Sequence, residues 1–282
     1  MPLFGEKRRH ILTLVGLALL HTACQSEPQN IQQDGTATEL REVKVVTSGG
    51  FAAAYDILAP RFEAETGIAL TTEYGSSSGG AADSIPVRLQ GGEDFDVVIL
   101  SQSSLTNLSN LGYVRAGTRK DLVRSSIGMA VREGAAVPDI SSAERFQAVL
   151  LEAESIGYSA SASGTYLSTV LFPRLGIWEA LEPKSRRILS ERVASVVARG
   201  EVEIGFQQIS EILPIEGAQF VGPIPAEYQK VTIFSTGITS GATNADDAQR
   251  LIDYLSSTEV AETVASTGLE PIVTRNESDH GE

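Results

Sequence analysis

The sequence predicts an α/β fold in which mostly parallel sheets are covered by helices. The chain has 282 residues, and 42% of them are hydrophobic, which is enough apolar material for a substantial core. From Val43 onward, short β-prone apolar runs alternate with segments of helical pattern. Such alternation is typical of parallel sheets whose strands are connected through helices.

The elements can be placed in order along the chain. Gly67 follows the first helix and suits a left-handed C′ position. Ser141 and Glu144 have capping-box spacing, and Thr243 or Asn244 can cap a later helix. Predicted strands cover residues 43–48, 69–74, 95–100, 127–132, 155–159, 202–206, 219–223 and 230–235. Predicted helices cover residues 51–65, 84–91, 103–111, 142–153, 164–175, 185–198, 245–256 and 258–267.

The N-terminus has the pattern of an export signal. Basic residues at 7–10 precede an apolar run, 11–20, which is too short to span a bilayer as a mature helix. Cys24, the single cysteine, resembles a bacterial lipidation site, and the alternative is ordinary secretion with an incidental cysteine. We expect a signal peptide over 1–23 and a flexible polar tether over 24–42, with the protein in the periplasm and possible attachment to the membrane through Cys24.

The charge balance limits the classes of partner. The formal net charge is −14, and the acidic residues are spread along the chain as on a solvated surface. No basic patch is present to displace counterions from nucleic acid, which argues against nucleic-acid binding. An anionic ligand remains compatible with this charge, since backbone N–H groups can bind it locally.

Three loops of small residues lie where strands lead into helices. They read TSGGF (47–51), YGSSSGG (74–80) and SASASGTY (159–166). Ligands of open α/β sheets bind beyond the carboxyl ends of strands, where helix N-termini offer unpaired N–H groups. Serine hydroxyls add further donors. The three loops together therefore predict a site for an oxyanion or a carboxylate.

Four longer stretches resemble a known family. They are VVTSGGFAAAYDILAPRFEAETGI (45–68), DFDVVILS (94–101), SASGTYLSTVLFPRLGIWEAL (161–181) and VEIGFQQISEI (202–212). The chain resembles the extracytoplasmic solute-binding proteins of the molybdate-binding type, which are two-lobed type 2 periplasmic binding proteins of ABC importers. The resemblance extends over about residues 43–272.

This resemblance implies two α/β lobes joined by two hinge crossings, with the ligand in the cleft between them. We place lobe I at 43–124 and 236–275, lobe II at 125–235, and a disordered tail at 276–282. The crossings are expected near 123–126 and 235–238. We expect the ligand site to include Ser48, Gly50, Phe51, Ser77, Ser78, Arg88, Ser163, Gly164, Val193 and Gln208. The resemblance matches Ser77, Ser163, Val193 and Gln208 to contact positions of the family.

Departures from the molybdate-binding pattern bear on the ligand. Gly50 stands where those proteins have a contacting serine, and Gln208 stands where they have a tyrosine. The segment after Ser78 is longer and brings Arg88 near the expected cleft. These differences favour a larger, carboxylate-bearing anion. This branch also resembles the periplasmic aconitate isomerases.

The residue types available exclude several enzyme classes. Between Cys24 and His280 the chain has no histidine and no further cysteine, so a Ser-His-Asp triad and a histidine-based metal site are excluded from the body. We expect no cofactor and no metal. An isomerase that shifts a proton beside a carboxylate needs only an acid and a base, and the candidates are Glu211, Tyr166, Lys230 and Tyr74.

The leading hypothesis is a monomeric solute-binding protein that captures a small anion and delivers it to a membrane permease. The alternative is an isomerase of a tricarboxylate that interconverts cis- and trans-aconitate. A third hypothesis is a sensory protein that presents its ligand to a membrane receptor.

Overall fold

The computed structural model describes residues 41–273, which form an α/β body with two sheets. The predicted signal peptide, Cys24, nearly all of the tether and the tail at 276–282 lie outside the described residues. The strands are β1 (Glu42–Ser48), β2 (Ala69–Gly75), β3 (Val97–Ser101), β4 (Lys120–Ser125), β5 (Ile127–Arg132), β6 (Ile156–Ser159), β7 (Ser185–Ile188), β8 (Ile204–Gln208), β9 (Ala218–Pro223), β10 (Thr232–Ile238) and β11 (Glu270–Pro271).

The helices include one long element and several short ones. They are α1 (Gly49–Thr66), α2 (Ile85–Gln90), α3 (Gln102–Asn110), α4 (Ala143–Glu152), α5 (Ala162–Tyr166), α6 (Phe172–Arg174), α7 (Trp178–Leu181), α8 (Val193–Ala198), α9 (Ile209–Ile212), α10 (Ala245–Leu255) and α11 (Ala261–Ser266). A π-helical turn at Leu167–Leu171 joins α5 to α6. No helix within 41–273 is long and apolar enough to cross a membrane.

The first sheet and its helices are called lobe I below. Its strand order is β11-β4-β10-β3-β1-β2. One face packs against α1, α10 and α11 through a core that includes Phe51, Leu58, Phe62 and Leu251. The other face packs against α2 and α3 around residues such as Leu105. Both faces are thus buried, as the helix-strand alternation predicts.

The second sheet and its helices are called lobe II. Its strand order is β7-β6-β8-β5-β9. One face carries an aromatic core in which Phe206 meets Phe146 and Phe172 edge-on, with ring centroids 5.9 and 6.4 Å apart. The other face packs on α8 and α9 through Val193, Val197 and neighbouring residues.

The sheets are mixed rather than mostly parallel. Among the described strands, β1 pairs in parallel with β2 and β3, and β6 pairs in parallel with β7 and β8. The strands that adjoin the crossings between lobes run antiparallel to their neighbours: β4 and β10 in lobe I, β5 and β9 in lobe II. The sequence pattern shows helix-strand alternation but not the direction in which a strand re-enters a sheet.

The chain crosses between the lobes twice. The first crossing is at Ser126, between β4 and β5, within the expected 123–126. The second lies at 224–231, between β9 and β10, and is therefore earlier than the expected 235–238. Those residues belong to β10, which pairs with β3 and β4 of lobe I from Thr232 onward.

Several local predictions can be compared with the structure. Gly67 has φ 67° and its N–H bonds to the Glu63 carbonyl oxygen, so the predicted left-handed cap is confirmed. The capping serine of α4 is Ser142, one residue later than predicted, and its Oγ accepts a bond from the Arg145 N–H. The predicted helix at 185–198 is wrong in its first part, because 185–188 form the edge strand β7.

The parallel strands of each lobe point their carboxyl ends at the same region. In lobe I these ends are Ser48, Gly75 and Ser101, and in lobe II they are Ser159, Ile188 and Gln208. The hydroxyl of Ser210 in lobe II donates to the Gly50 carbonyl oxygen in lobe I, 2.8 Å away. The two edges therefore face each other across a narrow cleft.

Candidate functional site

A cavity of about 240 Å³ lies between the two carboxyl edges. Both lobes contribute to it, and most of its wall consists of small or polar residues. Its lining in lobe I comprises Ser48, Gly49, Gly50, Tyr74, Gly75, Ser76, Ser77, Asp83 and Phe234. Its lining in lobe II comprises residues 159–163 and 188–192 together with Gln207, Gln208 and Glu211.

The N-terminus of α1 supplies donors on the lobe I side. Ser48 is the N-cap of this 18-residue helix, is 1% exposed, and makes no side-chain capping bond. Its Oγ has no hydrogen-bond partner among residues 41–273. A buried hydroxyl without a partner costs free energy, and a ligand oxygen at the helix N-terminus would satisfy it.

The loop after β2 forms the second part of the lobe I wall. The buried Ser77 accepts a hydrogen bond at Oγ from the Ser101 N–H, 3.0 Å away, and its own hydroxyl proton remains available to a ligand. Gly79 has φ 103°, and a Cβ there would lie 3.4 Å from the Ala160 carbonyl oxygen of lobe II. The two serine-rich loops therefore approach each other across the cleft.

The loop after β6 forms the opposite wall. Ser159 and Ser163 are buried, and their hydroxyl oxygens lie 3.1 Å apart. Gly164 packs so closely that an added Cβ would lie 1.8 Å from the Ser159 carbonyl oxygen. Glycine at 164 thus permits the tight turn that presents the two serines.

Glu211 is the carboxyl group at the base of the cleft. Its Oε1 accepts a 3.0 Å bond from Gln207 Nε2, and Gln207 Oε1 in turn accepts a 3.4 Å bond from the Ala194 N–H. The carboxyl also reaches lobe I, because a Cβ added to Gly49 would lie 2.2 Å from Oε1. Desolvation raises the pKa of Glu211 to about 7, against opposing effects of Arg192, Gln207 and the Gln208 backbone.

The cavity lining contains few charged side chains besides Glu211, although the chain as a whole is acidic. Glu191 is already paired with Arg199, whose Nη2 lies 2.9 Å from Oε2. Asp83 has a buried Oδ1 without a partner among the described residues. Arg192 is the only basic side chain of the described residues that lines the cavity. Tyr74 donates to Asp56, and burial with that bond raises the pKa of Tyr74 to about 12, which removes it as a base near neutral pH.

The residues at 50 and 208, which depart from the molybdate-binding pattern, are explained by their packing in the structure. A Cβ at Gly50 would lie 2.0 Å from the Phe234 ring, so the ring occupies the place of a side chain at 50. Gln208 accepts a 2.9 Å bond from Ser125 Oγ and donates a 3.1 Å bond to Thr232 Oγ1. Its amide therefore joins the end of β4 to the start of β10, at the crossings between the lobes.

The structure brings together part of the predicted set. Ser48, Gly50, Ser77, Ser163 and Gln208 line the cavity, as does the acid–base candidate Glu211. Phe51 and Val193 do not, since their side chains belong to the two lobe cores and leave only backbone groups near the helix starts. Ser78 and Gly164 lie beside the cavity and outside its lining.

Arg88 is held away from the cleft, contrary to the expectation. Its guanidinium pairs with Glu73 and Glu93 and lies 4.9 Å from the centre of the Phe95 ring. These two carboxylates hold its pKa above the usual range. The longer segment after Ser78 thus adds a surface ion-pair cluster and no cation to the cavity.

Tyr166 and Lys230 are also outside the cavity lining. The Tyr166 hydroxyl donates to the Tyr228 carbonyl oxygen, 3.0 Å away. Lys230 Nζ lies 5.2 Å from the centre of the Tyr166 ring. Both side chains therefore act in lobe II packing, and Glu211 remains as the acid–base candidate.

Sequence reasoning missed Arg192 and the segment before it. The cause is the wrong prediction of a helix over 185–198. In that prediction residues 188–192 lie in the middle of a helix, whereas in the structure they follow the end of β7. Arg192 is the N-cap of α8, with φ −71° and ψ 132°. Within 41–273, no group of three or more His, Cys, Asp and Glu side chains is arranged to hold a metal ion.

Comparisons with known proteins agree with this architecture. A family described as bacterial extracellular solute-binding protein matches residues 43–270. An aconitate isomerase from Pseudomonas sp is 40% identical over 236 residues, which cover 84% of this chain and 90% of that protein.

Solved structures show the same fold at low identity. The periplasmic molybdate-binding protein of Azotobacter vinelandii has a TM-score of 0.64 at 20% identity, covering 83% of this chain and 100% of that one. The sulfate-binding protein of Mycobacterium tuberculosis has a TM-score of 0.66 at 18% identity, covering 82% of this chain and 87% of that one.

Proposed function

The chain belongs to the bacterial extracellular solute-binding proteins, and from this premise we propose that it is an isomerase that interconverts cis- and trans-aconitate in its interlobe cleft. The observation that carries the proposal is the position of Glu211, a carboxyl with a pKa of about 7 that faces a donor-lined cavity. The 40% identity to an aconitate isomerase supports the same reaction.

The reaction needs one group that removes a proton and returns it elsewhere. Ionised Glu211 would take a proton from the methylene carbon of aconitate, leaving an allylic carbanion conjugated with the carboxylates. The same carboxyl, now protonated, would return the proton to the former vinyl carbon. The double bond moves by one position, the composition is unchanged, and the conformation of the bound carbanion sets the new geometry.

A pKa near 7 suits this double role. Near pH 7 about half of the Glu211 side chains are ionised, so the base is available and its conjugate acid is strong enough to return the proton. An ordinary exposed glutamate would be almost fully ionised there and would be a weaker base. The desolvated position of Glu211 between Gln207 and Gly49 thus has a chemical use.

The cavity walls would hold the substrate's negative charge. The α1 N-terminus offers backbone N–H groups and the unpartnered Ser48 hydroxyl, while Ser77 and Ser163 provide donors from two sides. Because these donors are fixed by the fold, they can stabilise charge that moves from the breaking C–H bond into a carboxylate.

The test is direct turnover. Purified protein is incubated with cis-aconitate, and formation of trans-aconitate is followed by proton NMR. Glu211→Gln is expected to lower kcat by about 100-fold or more, because general acid–base catalysis contributes at least that much. Glu216→Gln, an exposed carboxyl of the same lobe, is the matched control and should keep the wild-type kcat. Unchanged turnover in Glu211→Gln would remove this residue from the mechanism.

A second candidate function is capture of a small carboxylate anion for an ABC-type importer. It is favoured by the two-lobed cleft and by the extracellular family description. In this function the protein would be exported, anchored through a lipid on Cys24, and monomeric. Binding of aconitate or another polycarboxylate without any turnover would favour this candidate over the isomerase.

A further inference from the structure

Arg192 is a half-buried cation at the cavity wall. Its backbone carbonyl oxygen accepts a bond from the Ser195 N–H, 3.0 Å away, but its guanidinium makes no hydrogen bond or ion pair with any residue in 41–273. Its sequence neighbour Glu191 is taken by Arg199, which contacts both carboxylate oxygens at 3.1 and 2.9 Å. The protein thus neutralises Glu191 with a different arginine and leaves Arg192 available.

Arg192 is close enough to both lobes to act on groups in each. Desolvation raises the pKa of Glu211 in lobe II and of Tyr74 in lobe I, and the positive charge of Arg192 opposes both rises. Tyr74, Glu211 and Arg192 all line the cavity, so the charge of Arg192 acts within the space that a ligand would occupy.

Among the described residues of the lining, Arg192 is the single cation, and the other charged groups, Asp83, Glu191 and Glu211, are acidic. The other donors of the lining are hydroxyls, amides and backbone N–H groups, which carry no full charge. Neutral donors can hold one carboxylate of a ligand at a helix N-terminus. Each further ligand carboxylate is repelled by the acidic side chains of the lining, and a cation is needed to offset this repulsion.

We propose that Arg192 is the specificity-determining residue of the cleft, which binds one carboxylate of a tricarboxylate and selects such ligands over dicarboxylates. This proposal rests on the proposed function, since it assigns the substrate class of the same cavity. The planar guanidinium can bind a carboxylate through two parallel hydrogen bonds. The α1 N-terminus and the serine loops hold the other carboxylates.

The test compares two ligands that differ by one carboxylate, propane-1,2,3-tricarboxylate and glutarate. Neither contains a double bond, so binding is measured by calorimetry without turnover. The variants are Arg192→Gln, Arg192→Lys and the control Arg174→Gln, an exposed arginine outside the cavity. Melting temperatures are recorded for each to establish that it folds.

In the wild type we expect tighter binding of the tricarboxylate by about tenfold or more, since a charge-assisted hydrogen-bonded pair contributes at least this much. Arg192→Gln should lose the preference, Arg192→Lys should retain part of it, and Arg174→Gln should keep it.

Two results separate this inference from the proposed function. In the first, the wild type isomerises aconitate, and Arg192→Gln either keeps the tricarboxylate preference or weakens the binding of both ligands equally. Arg192 then does not determine specificity, and the proposed isomerase function is unaffected. If the wild type neither binds a tricarboxylate nor isomerises aconitate, both proposals are wrong.

Discussion

At the scale of single residues, Glu211 is held between two opposing influences. Surrounding protein atoms disfavour its ionised form, while Arg192, Gln207 and the Gln208 backbone favour that form. The balance places its pKa at about 7, where a small change in the surroundings alters the protonation state. Substitutions near this carboxyl should therefore change kcat more than they change the free energy of unfolding.

Gly49→Ala should lower kcat while leaving stability nearly unchanged. The added Cβ would lie 2.2 Å from Glu211 Oε1, so the flexible carboxyl must move away from its position. Gly49 is in the first turn of α1 with an ordinary helical conformation, and alanine is a good helix former there. We expect a decrease in kcat of about 10- to 100-fold, because small misplacements of reacting groups are costly.

The measurement combines steady-state kinetics with thermal unfolding. Gly50→Ala is the informative comparison, since its Cβ would overlap the buried Phe234 ring and the expected loss is in stability. Wild-type kcat in Gly49→Ala would mean that the observed position of Glu211 is not the reactive one.

Glu211→Gln should change the pH dependence of stability in the free protein. Folding raises the pKa of this carboxyl from 4.5 to about 7, so its contribution to stability is complete below about pH 4.5 and is lost as pH rises through 7. Glutamine cannot ionise, so the variant does not lose this stability as pH rises. Its melting temperature should therefore increase relative to that of the wild type between pH 5 and pH 8. Glu216→Gln should show a constant difference. A constant difference for Glu211→Gln as well would contradict the raised pKa.

Parts of the site were predictable residue by residue. Ser48, Ser77 and Ser163 follow strands in loops of small residues, and their positions depend only on local pattern and strand order. Arg192 was not predictable, since its placement depends on where β7 ends. Arg88 was misplaced because the pattern does not show that Glu73 and Glu93 compete for its guanidinium.

At the scale of elements, α9 and the crossing strands connect the lobes. The short helix α9 begins directly after Gln208, and its Ser210 bonds to the Gly50 carbonyl oxygen of α1. The second crossing is fastened by Gln229, whose side chain accepts from the Ile127 N–H at 2.8 Å and donates to the Ile127 carbonyl oxygen at 2.9 Å. The cleft base is therefore a hydrogen-bonded joint.

Gln208→Ala should destabilise this joint. The change leaves the hydroxyls of Ser125 and Thr232 without their amide partner in a buried position, at a cost of about 1–3 kcal/mol. Urea unfolding measures the loss. Gln249→Ala is the control, because Gln249 bonds to Asp253 on an exposed face of α10 and should cost less than about 0.5 kcal/mol. Equal effects of the two changes would contradict a role for Gln208 in holding the crossings together.

The sequence predicted most long elements, and the failures have a common cause. Strands with central, apolar positions such as β1 and β5 were placed within one residue. The edge strand β7 was taken for a helix, and β4 was missed, because charged residues obscure the two-residue period at 120–125 and 185–188. The strand directions in the mixed sheets depend on the crossings, which no local pattern records.

At the scale of the whole molecule, the net charge repels an anionic ligand, whereas the cavity attracts it. The chain carries −14, whereas the cavity offers helix dipole, hydroxyl donors and Arg192 to an anion. The field of the net charge extends outward to about a Debye length and opposes the approach of a polyanion, while the donors act only at contact.

The association rate of a tricarboxylate should therefore rise with ionic strength. Salt screens the long-range repulsion more than the contacts inside the cleft, so we expect an increase by a factor of a few between about 10 and 150 mM salt. Stopped-flow fluorescence with propane-1,2,3-tricarboxylate measures the rate, and two salts with different anions separate screening from competition. A rate that falls with both salts would mean that the local positive field dominates the approach.

The contact between Gly50 and Phe234 limits how this cleft can change its ligand. Residue 50 is in the first turn of α1, and residue 234 lies on β10, which the chain reaches only after it has completed lobe II. A serine at 50, the arrangement expected for a tetrahedral oxyanion site, would require a smaller residue at 234 at the same time. Conversion of this protein to such a ligand is thus a two-substitution step, in which each change alone either overpacks the site or leaves it empty.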